Sequence, residues 1–134
     1  MHFALVDRVL ELSPERIVTV KQVTAAEEYL QDHFPSFPVL PGVLMLEAMV
    51  QAARFLLESL DPSLSRHVLG SVRALKYGTF VRPGDTLRVE ITLLKADAGR
   101  YDFKGAGVVL RPDAAPHAEP PSCVSGRFAL RPVL

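Results

Sequence analysis

The chain has 134 residues, 49% of them hydrophobic and 22% charged, a balance that suits one globular domain and excludes disorder along the whole length. Lysine plus arginine and aspartate plus glutamate number 15 each, so the basic excess of a general nucleic-acid binder is missing. The single cysteine, Cys123, excludes an intrachain disulfide and a thiolate zinc cluster and points to a reducing, cytoplasmic setting.

No apolar N-terminal segment follows a positively charged start, so no secretory signal is expected. The longest uncharged run, Phe34 to Leu46, is 13 residues with three prolines, well short of the roughly 20 apolar residues a spanning helix needs. The expectation is a soluble single domain covering residues 1–134.

Between Phe3 and Val23 two apolar-alternating segments flank Ser13-Pro14-Glu15-Arg16, which reads as a turn. Ile17, Thr19, Lys21 and Val23 alternate with Val18, Val20 and Gln22, a β-branched strand pattern. Thr24 and Glu27 have capping-box spacing and predict the start of a short helix. Pro35, Pro38 and Pro41 then force a stiff, extended loop.

A helix is predicted from Pro41 to Ser59, with proline welcome in its first turn. Its polar residues, Glu47, Gln51, Arg54 and Glu58, form one narrow stripe. A helix so apolar elsewhere is expected to be wrapped on most sides by protein. After Asp61-Pro62 the period changes to two, with Leu87, Val89, Ile91 and Leu93 facing one way and Thr86, Arg88, Glu90 and Thr92 the other. Lys76–Phe80 reads as strand, and Tyr101–Leu110 and Cys123–Leu130 as two more. Pro83-Gly84-Asp85 reads as a tight turn. The proline-rich stretch 112–121 reads as a flexible hairpin tip. One long helix among five or six antiparallel strands is an α+β layout with the sheet curled around the helix.

No phosphate-binding P-loop and no nucleophile elbow are present. Gly105-Ala106-Gly107 lies in a strand pattern and lacks the third glycine of a dinucleotide fingerprint. His2, His33, His67 and His117 are scattered without ligand spacing, so no metal is expected. His33 and Glu47 remain. Taken alone, Glu47 equally reads as the start of a solvent-facing stripe, and His33 as a residue at a helix C-terminus interacting with the dipole.

The segment His33-Phe34-Pro35-Ser36-Phe37-Pro38-Val39-Leu40-Pro41-Gly42-Val43, followed by an apolar run and Glu47-Ala48-Met49-Val50-Gln51, resembles the hallmark of hot-dog-fold 3-hydroxyacyl-[acyl-carrier-protein] dehydratases of the FabZ and FabA type. The resemblance extends upstream over Leu5–Leu12 and downstream through Val81-Arg82-Pro83-Gly84-Asp85 and Leu93-Leu94-Lys95. It departs from the family pattern at Ser36, where that pattern has glycine, at Phe37, and in Lys76–Phe80.

This resemblance implies a hot-dog fold, with His33 as catalytic base and Glu47 as catalytic acid. It also implies substrate contact by Gly42, through its backbone N–H, and by Val43, Gln51 and Phe37. Taken singly, Phe37 reads more simply as core packing. The implied partners are an acyl carrier protein bearing the substrate and a second copy of the chain sharing the active sites, with a trimer of such dimers as the larger assembly. No nucleic acid, membrane or cofactor is implied. Arg73, Lys76, Arg82, Arg100 and Lys104 are the cations considered for carrier docking, each equally readable as a solvated strand residue.

The chemistry is self-consistent. A neutral imidazole takes the C2 proton of the 3-hydroxyacyl thioester. Unpaired N–H groups at the helix start stabilise the carbonyl oxygen. A carboxylic acid protonates the departing hydroxyl, a form favoured by apolar burial, for which Met45, Leu46, Ala48 and Met49 are the sequence neighbours of Glu47. Two other readings use the same residues: a hot-dog acyl thioesterase, and a non-catalytic carrier-protein-binding subunit for which Ser36 and Phe37 speak.

Overall fold

The β-branched run ahead of Val23 is a strand, and it lies near one side of a six-stranded antiparallel sheet. A computed structural model describes residues 4–27, 30, 33–34 and 37–133. The strands are β1 (Arg8–Leu12), β2 (Arg16–Gln22), β3 (His67–Tyr77), β4 (Thr86–Asp97), β5 (Arg100–Leu110) and β6 (Ser122–Pro132), and α1 spans Gly42–Leu60. A short 3-10 turn, Pro62–Ser65, links α1 to β3. In space the order is β1-β2-β4-β5-β6-β3, so β1 and β3 are the edges.

The sheet closes on α1 because one side of each central strand is apolar. Leu87, Val89 and Ile91 of β4 are buried, and Thr86, Arg88 and Glu90 are only half covered, the alternation of a strand packed on one face. Met49, Leu56 and Leu57 of α1 join Phe103, Phe128 and Leu130 of β5 and β6 in one core. Phe103 and Phe128 stack at 5.4 Å between centroids.

Two strand glycines relieve close contacts, and Gly105 explains how the helix comes so close to the sheet. A Cβ on Gly105 would sit 2.6 Å from Met49 Sδ, and one on Gly107 2.7 Å from Val124 Cγ1. Gly105 therefore serves packing against α1, and Gly107 makes room for the neighbouring side chains of β4 and β6. At the β4–β5 hairpin, Ala98 and Gly99 take φ of 52° and 82°, the paired positive values that match a two-residue turn to the twist of its strands.

Two expectations change. Residues 24–27 form a turn, not the start of an α-helix: Glu27 N–H reaches Thr24 O at 3.3 Å, and Leu30, in a 3-10 position, reaches Glu27 O at 3.1 Å. The Glu27 carboxylate pairs with the buried Lys21 at 3.0 Å, so it is drawn toward a desolvated cation instead of a cap. Residues 28–29 and 31–32, the remainder of that expected helix, lie outside the described residues, as does Ser36.

The strand ahead of Val81 also ends earlier than read, at Tyr77; Gly78 and Thr79 continue only as backbone bonds, each 2.9 Å, to Cys123 O and Ser122 O. As expected, α1 is wrapped over most of its circumference, and one narrow face stays open. Met45, Ala48, Ala52 and Leu56 are buried, whereas Val43 is 66% and Phe55 45% exposed, leaving an open face along the polar stripe. The stretch 111–121 connects β5 to β6 without strand structure.

Candidate active site

His33 stands at the mouth of the proline loop, and the loop determines which of its nitrogens is available. Val39 N–H donates to His33 O at 2.9 Å, and His33 Nδ1 lies 3.1 Å from Val39 O. A carbonyl oxygen only accepts, so Nδ1 carries a proton and Nε2 is the nitrogen left free of that bond. The ring stacks on Phe34 at 4.4 Å. Phe34 and Phe37 exchange backbone bonds of 3.1 and 3.0 Å, and Leu40 N–H binds Val81 O at 2.8 Å. The imidazole is thus oriented by a carbonyl six residues on, a contact that the helix-terminus reading of His33 does not contain.

Beside it is a largely apolar cavity of about 450 Å³. His33, Gly42 and Val43 form one wall, Tyr77–Phe80 another, and the buried Met45 and Cys123 also line it. Burial pushes the Cys123 thiol up to about 12, so it is a neutral lining group and not a nucleophile. The Tyr77 hydroxyl is likewise raised above its ordinary value by burial.

The helix start reaches the same wall. Pro41, the N-cap, offers no side-chain cap, and no acidic residue occupies the first turn. Leu44 and Met45 N–H both turn to Pro41 O, at 3.0 and 3.3 Å. Gly42 and Val43 N–H carry no hydrogen-bond partner among the described residues. Two donors at the positive end of a 19-residue helix therefore border the cavity, a ready arrangement for developing negative charge.

The Tyr77 ring rests on Gly42: a Cβ there would lie 2.8 Å from Tyr77 Cζ and would displace the ring. Gly78 is more tightly constrained, since its Cβ would come within 2.5 Å of Ser122 O.

Glu47 and Gln51 occupy a different region. Glu47 is one turn beyond Val43 on the same helix face, yet neither it nor Gln51 lines the cavity. The apolar enclosure expected for Glu47 is not found in the single chain. Its side chain is 35% exposed and its Oε1 lies 3.6 Å from Arg54 Nη1. Met45, Ala48 and Met49, adjacent in sequence, face the core, because residues one and two apart on a helix point elsewhere. Arg54 is itself held by Nε donating to His67 O at 2.9 Å. Gln51 Oε1 accepts from Leu5 N–H at 2.8 Å, tying the N-terminal segment to the helix.

Phe37 does not pack in the core. It is 48% exposed and meets Phe80 edge-on at 6.0 Å, lining a groove next to the cavity. Tyr77, Thr79 and Cys123 are cavity residues that sequence reasoning did not single out; a hydropathy pattern carries no signal for them, since strand pairing brings them to the helix start. No cluster of three or more potential metal ligands exists among the described residues, and His67 is buried with Nδ1 on Leu64 O at 2.9 Å.

A six-stranded antiparallel sheet curled on one long helix, with an apolar cavity at the helix start, is the hot-dog architecture. Its similarity to solved hot-dog structures is broad. A dehydratase heterocomplex from Xenorhabdus doucetiae matches with a TM-score of 0.71 at 18% identity over 98% of this chain and 84% of the other. A thioesterase superfamily member from Mus musculus matches with 0.63 at 12% identity, over 91% and 78%. At those identities the likeness is one of fold.

The sequence comparison is narrower. Residues 1–112 match the FabA-like domain family, and the chain belongs to that family. It is 40% identical over 99 residues to the 3-hydroxyacyl-[acyl-carrier-protein] dehydratase FabZ of Ruminiclostridium cellulolyticum, covering 72% of this chain and 70% of that protein. With FabZ of Oenococcus oeni it shares 48% identity over 93 residues, 68% and 67% of the two chains.

Proposed function

We propose that the chain is a 3-hydroxyacyl-[acyl-carrier-protein] dehydratase, a hydro-lyase that removes water from a 3-hydroxyacyl thioester to leave a trans-2-enoyl thioester in fatty-acid or polyketide-like synthesis. The observation that carries this reading is the apolar cavity in which His33, with Nε2 available, meets the Gly42 and Val43 amides at the start of α1. That pairing suits abstraction of a proton α to a thioester carbonyl.

In the proposed reaction the acyl chain lies among the apolar cavity walls, and Gly42 N–H, with Val43 beside it, receives the thioester oxygen. His33 Nε2 takes a proton from C2. The electron pair released moves into the C1–C2 bond as charge gathers on the oxygen. The C–O bond at C3 then breaks, the hydroxyl takes a proton from Glu47 and leaves as water, and the C2–C3 double bond forms. His33 has gained one proton and Glu47 has lost one, so a proton passing from one to the other restores the starting state.

Glu47 enters this scheme from a second copy of the chain. Supporting that arrangement are its position outside its own chain's cavity and the exposed Val43 and Phe55 on the same open face of α1. The unpaired outer edge of β3 supports it further. Covering that face with a symmetry-related copy would also remove water from the Glu47 carboxyl. Phe37 and Gln51 act at the margin of the site, and residues 1–134 work as one hot-dog unit in the cytoplasm. No helix among the described residues is long and apolar enough to cross a membrane.

The test is turnover of a 3-hydroxyacyl-carrier protein followed by mass, with free thiol measured in the same sample. Loss of 18 Da, about one water, without thiol release is the expected result. Thiol release makes the protein a thioesterase, and a folded dimer that does neither across short and long chains is a binding subunit.

A further inference from the structure

Next to the cavity is a groove of about 560 Å³ lined by Phe37, Gly78, Thr79, Phe80, Arg82, Arg111 and Ser122. The groove and the cavity share Gly78, Thr79 and Phe80, so a ligand leaving the cavity past these residues enters the adjoining groove. We propose that Arg82 and Arg111 bind the phosphodiester of the phosphopantetheine arm that joins the acyl group to its carrier protein. This assignment rests on the dehydratase reading for its ligand and identifies where the carrier side of that ligand is held.

The two guanidiniums are prepared for an anion. Asp85, only 4% exposed, accepts from Arg82 N–H at 3.0 Å. Its Oδ2 lies 4.0 Å from Arg82 Nε and 3.7 Å from Arg111 Nε. Arg111 Nη2 donates to Phe80 O at 3.2 Å, and its buried Nε has no hydrogen-bond partner. A single carboxylate thus sits behind two cations and leaves a surplus of one positive charge.

That surplus matches the single negative charge of a phosphodiester better than the several charges of a nucleotide-bearing thioester, and guanidinium geometry suits a phosphate. The layout also follows the arm itself, which has an acyl group at one end, a neutral amide chain in the middle and an anion at the other end.

The competing charges are accounted for. Asp113 and Glu119 wall a separate groove on the other side of Arg82 and Arg111, and neither forms an ion pair with either arginine. Of the cations considered from sequence, Arg73, Lys76, Arg100 and Lys104 line neither the cavity nor the groove. Arg82 is retained from that set, and Arg111 is added because β5 delivers it next to Phe80.

The experiment is binding, which does not require turnover. Titrate wild type and the Arg82→Gln/Arg111→Gln double variant with holo carrier protein, with apo carrier protein lacking the arm, and with coenzyme A. The expected result is about tenfold weaker holo binding by the variant, with its advantage over apo carrier lost. Equal weakening toward holo and apo carrier overturns the assignment, because the arginines then contact the carrier surface. Unchanged holo binding overturns it outright. A larger loss toward coenzyme A than toward holo carrier overturns it in favour of a nucleotide.

Thermal melts establish that the variants fold. If the double variant does not, Arg82→Lys and Arg111→Lys carry the same comparison with a smaller loss, since charge remains and the fork does not. Turnover distinguishes the two readings: arginine-dependent binding of holo carrier without water loss breaks the dehydratase reading and leaves this site in place.

Discussion

The two halves of the candidate site are built in opposite ways. Around His33 the geometry is complete within one chain. Backbone bonds orient the imidazole, prolines stiffen the loop, and the first amides of α1 stand on the same cavity wall. Around Glu47 nothing is enclosed: the carboxylate is a third exposed, faces Arg54, and lies on a helix face that leaves Val43 and Phe55 in solvent. A base can be positioned by its own loop, but an acid that must work in an apolar site requires cover. In the proposed reaction a second copy of the chain provides it.

Removing the base breaks the finished half directly. His33→Ala is expected to lower turnover by about a thousandfold or more, because no other described group with a titratable nitrogen lines the cavity. Steady-state assay on carrier-linked substrate checks this, and retained activity would remove His33 from the mechanism.

Glu47→Gln is expected to cost a similar factor with the fold intact. Mixing it with His33→Ala sharpens the comparison, since exchange of subunits creates mixed dimers with one intact site. Recovery should approach about a quarter of wild-type activity when the copies pair at random around a two-fold axis. Proven exchange with no recovery would place both residues in one chain's site.

The packing that holds the two halves in register is probed at Gly105. Gly105→Ala forces a methyl to within 2.6 Å of Met49 Sδ and 2.9 Å of Ile91 Cδ1, so a loss of about 1–3 kcal/mol in denaturant unfolding is expected. An unchanged midpoint would mean that α1 is free to withdraw from the sheet.

Cys123 reports on enclosure of the His33 half. With its thiol raised to about 12, it should resist alkylation in the native protein and react on unfolding. Its contribution to stability is present below the unfolded thiol range and is lost as pH climbs from there through about 12. Rapid native labelling at neutral pH would show that the cavity opens.

The smallest effect is far from the site. Glu90 is held below its ordinary range by its hydrogen bond from Arg16, and Arg16 and Arg88 add charge in the same direction. The resulting stability is present above the unfolded carboxylate pKa and falls away as pH drops through the folded one. Glu90→Gln should flatten that acid limb slightly in a melting-temperature profile, the pair being partly exposed. A flat wild-type limb would mean the ion pair contributes nothing.

Much of this molecule was legible in one dimension. Period-two alternation marks β4, the apolar run marks α1, and Pro83-Gly84-Asp85 marks a turn where Gly84 takes φ of 95°. His33, Glu47 and Gly42 could be singled out because their motif is contiguous. These are local properties, governed by backbone sterics, burial periodicity and spacing along one chain segment.

The failures share a cause as well. Glu27 leaves its expected cap for Lys21, and Phe37 leaves the core for Phe80. Each outcome was decided by a partner on another element: Lys21 on β2 for Glu27, and Phe80, beyond β3, for Phe37. Sequence by itself determined most of the elements, the candidate base and the helix start, since those depend on neighbours along the chain. Tertiary structure alone put Tyr77 on Gly42, Cys123 in the cavity wall and Arg111 beside Arg82. Those juxtapositions depend on strand register, and register depends on which side chains the whole sheet can bury together.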